Sequence, residues 1–102
     1  MADAYVALLL VHLHFPEAGS LKCKRKDLAS VKAQLHGRMG CAVAEVAHQD
    51  VWQRATLAAS LTGGSATQLH QLVDGVERFL LERFPETCRV ERTLRSYDEV
   101  WG

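Results

Sequence analysis

Six basic side chains, Lys22, Lys24, Arg25, Lys26, Lys32 and Arg38, lie between Ser20 and Arg38 against the single acid Asp27. A local excess of about five positive charges is the composition of a surface patch that attracts phosphate-bearing polymers. On a helix, Lys22, Lys24, Arg25 and Lys26 would occupy the first two turns. There positive charge opposes the macrodipole by a few tenths to about 1 kcal/mol per exposed residue. Helix stability does not account for them. With the unpaired N–H groups of a first turn, Lys22, Lys24, Arg25, Lys26 and Lys32 read as an anion or RNA site. The competing reading is a solvated basic face. On a helical wheel Lys22, Arg25, Lys26 and Lys32 share the exposed side, whereas Lys24 lines up with Leu28, Val31 and Leu35. Its ammonium is therefore expected to snorkel out over the end of a sheet.

A second set of chemistry-bearing residues is His12, His14, Glu45, His48 and Arg54. His12 and His14 share one face of a strand, but two imidazoles fall short of the three or four ligands of a zinc site, and no metal is expected. If Gln49 and Asp50 turn a hairpin, paired positions place Glu45 opposite Arg54 and Ala47 opposite Trp52. Glu45, His48, Asp50, Trp52 and Arg54 then read as a group that organises the sheet or meets a partner, with the Glu45–Arg54 pair on the side away from the helices. The three cysteines, Cys23, Cys41 and Cys88, form no CxxC pair, so neither a disulfide framework nor a thiolate metal site is signalled. Phosphate-loop and nucleophile-elbow motifs are absent, and no cofactor is expected.

These side chains need elements to hold them. Tyr5 to His14 alternates as a strand with apolar residues on both faces, and Val6, Leu8 and Leu10 make its even face apolar until His12 and His14 interrupt it. Ser20 is placed to cap a helix that ends near Gly37 or Gly40. Cys41–Ala47 and Trp52–Leu61 read as a hairpin. Ser65 and Gln68 have capping-box spacing ahead of Leu69, Leu72, Val73, Val76 and Leu80, a helix that runs to Pro85. Cys88–Tyr97 is the last strand, with a short tail to Trp101. This βαββαβ order predicts one ferredoxin-like α+β domain over residues 1–102, a four-stranded antiparallel sheet with two helices on one face.

Composition narrows the function classes. With 48% hydrophobic and 24% charged residues the chain has the make-up of an ordinary globular domain. Its longest apolar run, Ala4 to Val11, is far short of the roughly 20 residues a membrane helix needs, and no secretory leader opens it, so a cytoplasmic protein with no membrane partner is expected. Twelve basic residues balance twelve acidic ones, so any attraction to a polyanion is local.

Two segments are distinctive as strings: Ser20-Leu21-Lys22-Cys23-Lys24-Arg25, and the run from Ala44 through Glu45, Val46, Ala47, His48, Gln49, Asp50, Val51, Trp52, Gln53 and Arg54 to Ala55. They resemble the paired SLKxKR and AEVxHQDxWQRA signatures of the YlxP-like family (DUF503), small bacterial proteins of unknown function. The likeness implies the ferredoxin-like fold, a bacterial cytoplasm, and genes that often lie beside those for translation initiation and ribosome maturation. It implies no activity. Cys23 and Ala47 depart from the pattern, which frequently has acidic residues there. Three function classes stay open. The leading one is a non-enzymatic accessory protein that contacts RNA or a ribosomal particle through its basic first helix. A second is a homo-oligomeric scaffold or regulator that buries Val6, Leu8 and Leu10. A third is a hydrolase or small-molecule site around His12, His14, Glu45, His48 and Arg54. Thr56, Ala58 and Ser60 stand where an aromatic base-stacking sheet would carry rings, which disfavours sheet-face RNA binding.

Overall fold

The computed structural model describes residues 3–101. The chain forms β1 (Tyr5–His14), α1 (Leu21–Gly37), β2 (Ala42–Ala47), β3 (Arg54–Gly63), α2 (Ala66–Arg83), β4 (Cys88–Ser96) and α3 (Tyr97–Trp101). The strands make one antiparallel sheet in the order β2-β3-β1-β4, the ferredoxin-like arrangement. Its centre falls on β1 and β3 because these strands contribute the continuous apolar rows. Ala7, Leu9, Val11 and Leu13 alternate inward from β1, and Ala55, Leu57, Ala59 and Leu61 from β3. Against them pack Leu28, Val31 and Leu35 of α1 and Leu69, Val73, Val76 and Leu80 of α2. Each set recurs at helical spacing, so each helix has one buried stripe.

The helix ends follow the chemistry of their caps. Ser20 Oγ accepts from the Cys23 N–H at 3.2 Å, and Ser65 Oγ from the Gln68 N–H at 3.3 Å. Beyond α1 the chain reverses at Gly40, whose φ of 71° suits a residue without Cβ. The terminal helix α3 differs from the tail read in the sequence. Ser96 Oγ accepts from the Glu99 N–H at 3.2 Å while the Glu99 carboxylate accepts from the Ser96 N–H at 2.9 Å. This reciprocal box halts β4 one residue early and starts a helical turn. The Ser96-x-x-Glu99 spacing was a legible signal for it.

The hairpin register corrects the sequence reading. Gln49 and Asp50 do not close a two-residue turn; residues 48–53 form the connection, and Trp52 lies in it, outside the strands. Glu45 pairs with Leu57, and an irregularity between Glu45 and Ala47 precedes the Ala47–Thr56 pair. Against the expected partner Arg54 this is a shift of three residues. An odd shift moves a side chain to the opposite face of the sheet. Glu45 therefore points into the helical layer, while Arg54, beside His14, faces the uncovered side.

Candidate functional site

Lys24 sits on the buried stripe of α1 with Leu28, Val31 and Leu35 and is only 1% exposed. An unpaired ammonium in such a place would lose several kcal/mol of hydration, so partners are required. They come from the hairpin. Nζ donates to the carbonyl of His48 at 2.5 Å and lies 3.4 Å from that of Gln49 and 3.5 Å from Glu45 Oε2. This corrects the expectation that Lys24 reaches solvent as part of an anion site: its charge is directed inward and already engaged. Glu45 Oε2 is buried and accepts no hydrogen bond among the described residues, so the lysine charge is its only nearby compensation there.

The residues around this contact complete a clasp. His48 has the left-handed φ of 64°, and its carbonyl accepts from both Lys24 and the Val51 N–H, the latter at 3.1 Å. Gln49 Nε2 lies 3.4 Å from the Glu45 carbonyl, and Gln53 ties the far side of the loop to the β1–α1 connection. There its carbonyl accepts from the Phe15 N–H at 2.7 Å and its amide donates to the Pro16 carbonyl at 3.3 Å. The two distinctive sequence segments thus meet in space through Lys24. Asp50 and Trp52 of the same loop are exposed, Trp52 by 52%.

Lys22, Arg25 and Lys26 are exposed on the outer side of α1, and Lys32, further along, is half-buried. None makes an ion pair among the described residues. The first turn of α1 contains no acidic residue to favour its dipole. The clasp holds the hairpin turn, with its exposed indole, against the beginning of this helix.

On the opposite face of the sheet the structure assembles part of the second set. His12, His14, His48 and Arg54 line an open cleft of about 380 Å³ together with Thr56, Glu86 and Arg89. Glu45 is absent from it, being on the helical side. His12 is held at both nitrogens: Nε2 is 2.7 Å from Glu91 Oε2, and Nδ1 is 3.3 Å from Thr56 Oγ1. The hydrogen bond to His12, aided by the charge of Arg89, holds the Glu91 carboxyl below its ordinary range. Cys88 also borders the cleft, but burial, with a contribution from the charge of Glu77, pushes its thiol up to about 11, so it is a protonated neighbour at neutral pH. Arg89 is a member that sequence reading missed as a site residue. Its antiparallel pairing with His12 is a long-range fact that no local pattern reveals.

Val6, Leu8 and Leu10 lie on this uncovered face as the alternation predicts, with Leu8 45% and Leu10 36% exposed. Beside Leu8, the small residues Ala42, Ala44 and Ala58 leave a shallow trough of about 200 Å³. No helix among the described residues is long and apolar enough to cross a membrane.

Residues 6–93 match a family described as "Protein of unknown function (DUF503)". Over 78 residues the chain is 31% identical to the "Uncharacterized protein YlxP" of Bacillus subtilis (strain 168), an alignment that spans 76% of this chain and 80% of that one. Among solved structures it is similar to the de novo designed protein Foldit4, with a TM-score of 0.57 and 9% identity over 91% of this chain and 97% of the design. It is also similar to a portion of the VAO-type flavoprotein MtVAO713 from Myceliophthora thermophila C1, with a TM-score of 0.54 and 18% identity. That match covers 98% of this chain but only 19% of the flavoprotein. At these identities the structural likenesses concern the fold alone.

Proposed function

The chain belongs to the DUF503 family of proteins of unknown function, and from that premise we propose that it is a non-enzymatic accessory protein that binds structured RNA, free or in a ribosomal particle, through the outer side of α1. One observation carries this reading. Lys22, Arg25, Lys26 and Lys32 project from one helix without a carboxylate partner among the described residues, and three of them stand where they oppose the helix dipole. Charges that a helix does not need for its own stability are available to phosphates, whose binding releases counterions. Trp52, exposed on the loop that Lys24 fastens beside the helix, adds a ring on which an unpaired base can stack.

The test is fluorescence anisotropy of a labelled RNA hairpin across a salt series. Wild type binds at low salt. Lys22→Gln combined with Arg25→Gln weakens binding and lowers the log–log salt slope by about 0.7 to 0.9 for each phosphate no longer neutralised. Absence of affinity at low salt, or an unchanged slope in the double variant, removes the proposal.

A second reading is favoured by the uncovered sheet face, where Leu8 and Leu10 are exposed and Leu8 borders the alanine trough. Exposed leucines on a sheet face that no helix covers form an apolar patch of the kind soluble domains seldom leave open, and a second copy of this chain presents the same face to close it. Sedimentation equilibrium of wild type and Leu8→Glu decides it: a dimer that the substitution dissociates supports the reading, and a micromolar monomer ends it.

A further inference from the structure

We infer that the cleft between His14, Arg54 and Arg89 is a binding site for a phosphate monoester. It lies on the sheet face opposite α1, and the inference is independent of the RNA reading.

Three observations converge on it. First, the cleft gathers donors that the fold leaves unused. The guanidinium of Arg54 makes no hydrogen bond or ion pair among the described residues, and neither imidazole of His14 or His48 has a partner there; the guanidinium of Arg89 has only Glu91, at 3.7 Å. Guanidinium forks and imidazole N–H groups match the oxygens of a tetrahedral anion. Second, the strained backbone of the chain is concentrated at this place. His48 and Glu86, with φ of 64° and 66°, are the two non-glycine residues of positive φ among the described residues, and both line the cleft. Such conformations persist where the surroundings enforce them, and they cluster at ligand sites. Third, one wall is already oriented. Glu91 and Thr56 hold the two nitrogens of His12, so that ring is a fixed support with no rotamer left to order.

The charge balance selects the ligand. The cleft's lining carries two guanidiniums, Arg54 and Arg89, against one carboxylate, Glu86, while Glu91 lies outside the lining and is turned to His12. A metal cation would meet two guanidiniums, and no group of three or more metal-ligating side chains converges among the described residues. A cleft of about 380 Å³ also has room for more than a bare oxyanion. The phosphate is therefore expected to carry a larger group, the end of a nucleotide being the chemistry of matching size.

The chain contains five histidines, and His36 and His70 lie outside the cleft, so imidazole NMR has its control built in. With inorganic phosphate and adenosine 5′-monophosphate as probes, at about pH 6.5, the resonances of His12, His14 and His48 shift while those of His36 and His70 do not. Arg54→Gln and Arg89→Gln each weaken binding about tenfold, the scale of one charge-assisted hydrogen bond. The unchanged His36 and His70 signals report that these surface variants remain folded. Lys22→Gln leaves the phosphate-induced shifts of His12, His14 and His48 as they were, which separates this site from the helix surface. The inference is overturned if neither probe moves the three resonances, if all five move together, if the arginine variants bind like wild type, or if adenosine without phosphate binds as tightly as its monophosphate.

Discussion

The junction of α1 with the hairpin and the junction of α2 with β4 both fasten a helix to the sheet through one cation, and they do so under opposite conditions. Lys24 is 1% exposed, contacts two carbonyls, and stands 3.5 Å from a carboxylate oxygen that accepts no hydrogen bond among the described residues. Arg92 reaches from β4 to Asp74 at 2.7 Å and Glu77 at 2.9 Å, with its side chain about a third exposed to water. By distances alone the second junction is the stronger. Its hydrogen bond to Asp74 even raises the guanidinium above its ordinary range. Solvation reverses the order, because a surface pair exchanges good water contacts for good protein contacts, whereas a buried group stripped of its partner has nothing to return to.

The largest effect should follow from breaking the buried junction. Lys24→Met strands the Glu45 carboxylate and the two loop carbonyls, a destabilisation of about 3 to 5 kcal/mol in chemical denaturation. Adding Glu45→Met removes the stranded charge, so the double variant should be less destabilised than the sum of the two single variants. The same cycle on Glu45 and Arg54 should give no coupling, since these residues occupy opposite faces of the sheet.

Breaking the exposed junction should matter less. Arg92→Gln is expected to cost about 1 kcal/mol at low ionic strength, and most of that difference should vanish in molar salt. The Lys24→Met destabilisation should persist in salt, because the side chains of the Lys24–Glu45 pair are only 1% and 14% exposed. If both variants respond alike, burial is not what separates the two regions.

This contrast also shows what could be read from sequence. The ferredoxin-like order, both serine caps and the buried helix stripes were legible because each rests on local periodicity or on spacing within four residues. Lys24 was visible on the stripe of Leu28, Val31 and Leu35, yet its partners lie more than twenty residues away, and a stripe alone does not say whether a lysine leaves the core or is met inside it. The hairpin failed for a related reason. Gln49 and Asp50 are plausible turn residues, but the six-residue connection and the strand irregularity shift the register by three, and that reverses the face of Glu45. The cleft is a sum of three strands and two loops, so His12, His14, His48 and Arg54 could be grouped from sequence, whereas Glu86 and Arg89 could not.

A smaller effect is expected at the rim of the cleft, and it depends on pH. His12 and Arg89 lower the Glu91 pKa from its usual 4.5. A carboxyl depressed in the folded state contributes stability that is fully present above the unfolded value, and that contribution disappears as pH falls through the folded value. Thermal melts between about pH 5 and pH 3 should therefore decline less steeply for Glu91→Gln than for wild type. Glu99→Gln should act in the same direction, because the Ser96 N–H, the first cause of its lowered pKa, favours the ionised form.

The last effect is the smallest, and its sign carries the meaning. Lys22, Arg25 and Lys26 flank Lys24 in sequence and share its charge, but they lie in water at the positive end of a helix with no acidic residue in its first turn. Replacing Lys22 and Arg25 with Gln should leave stability unchanged or raise it by a few tenths of a kcal/mol per charge, since an unfavourable dipole interaction is relieved. Denaturation melts of that variant beside Lys24→Met would then show neighbouring cations of one helix with opposite consequences. A drop in stability on removing the exposed charges would mean that they too have partners in the fold, and they would no longer be free for phosphate. A gain, together with weakened RNA binding, is the combination that a merely solvated helix face cannot produce.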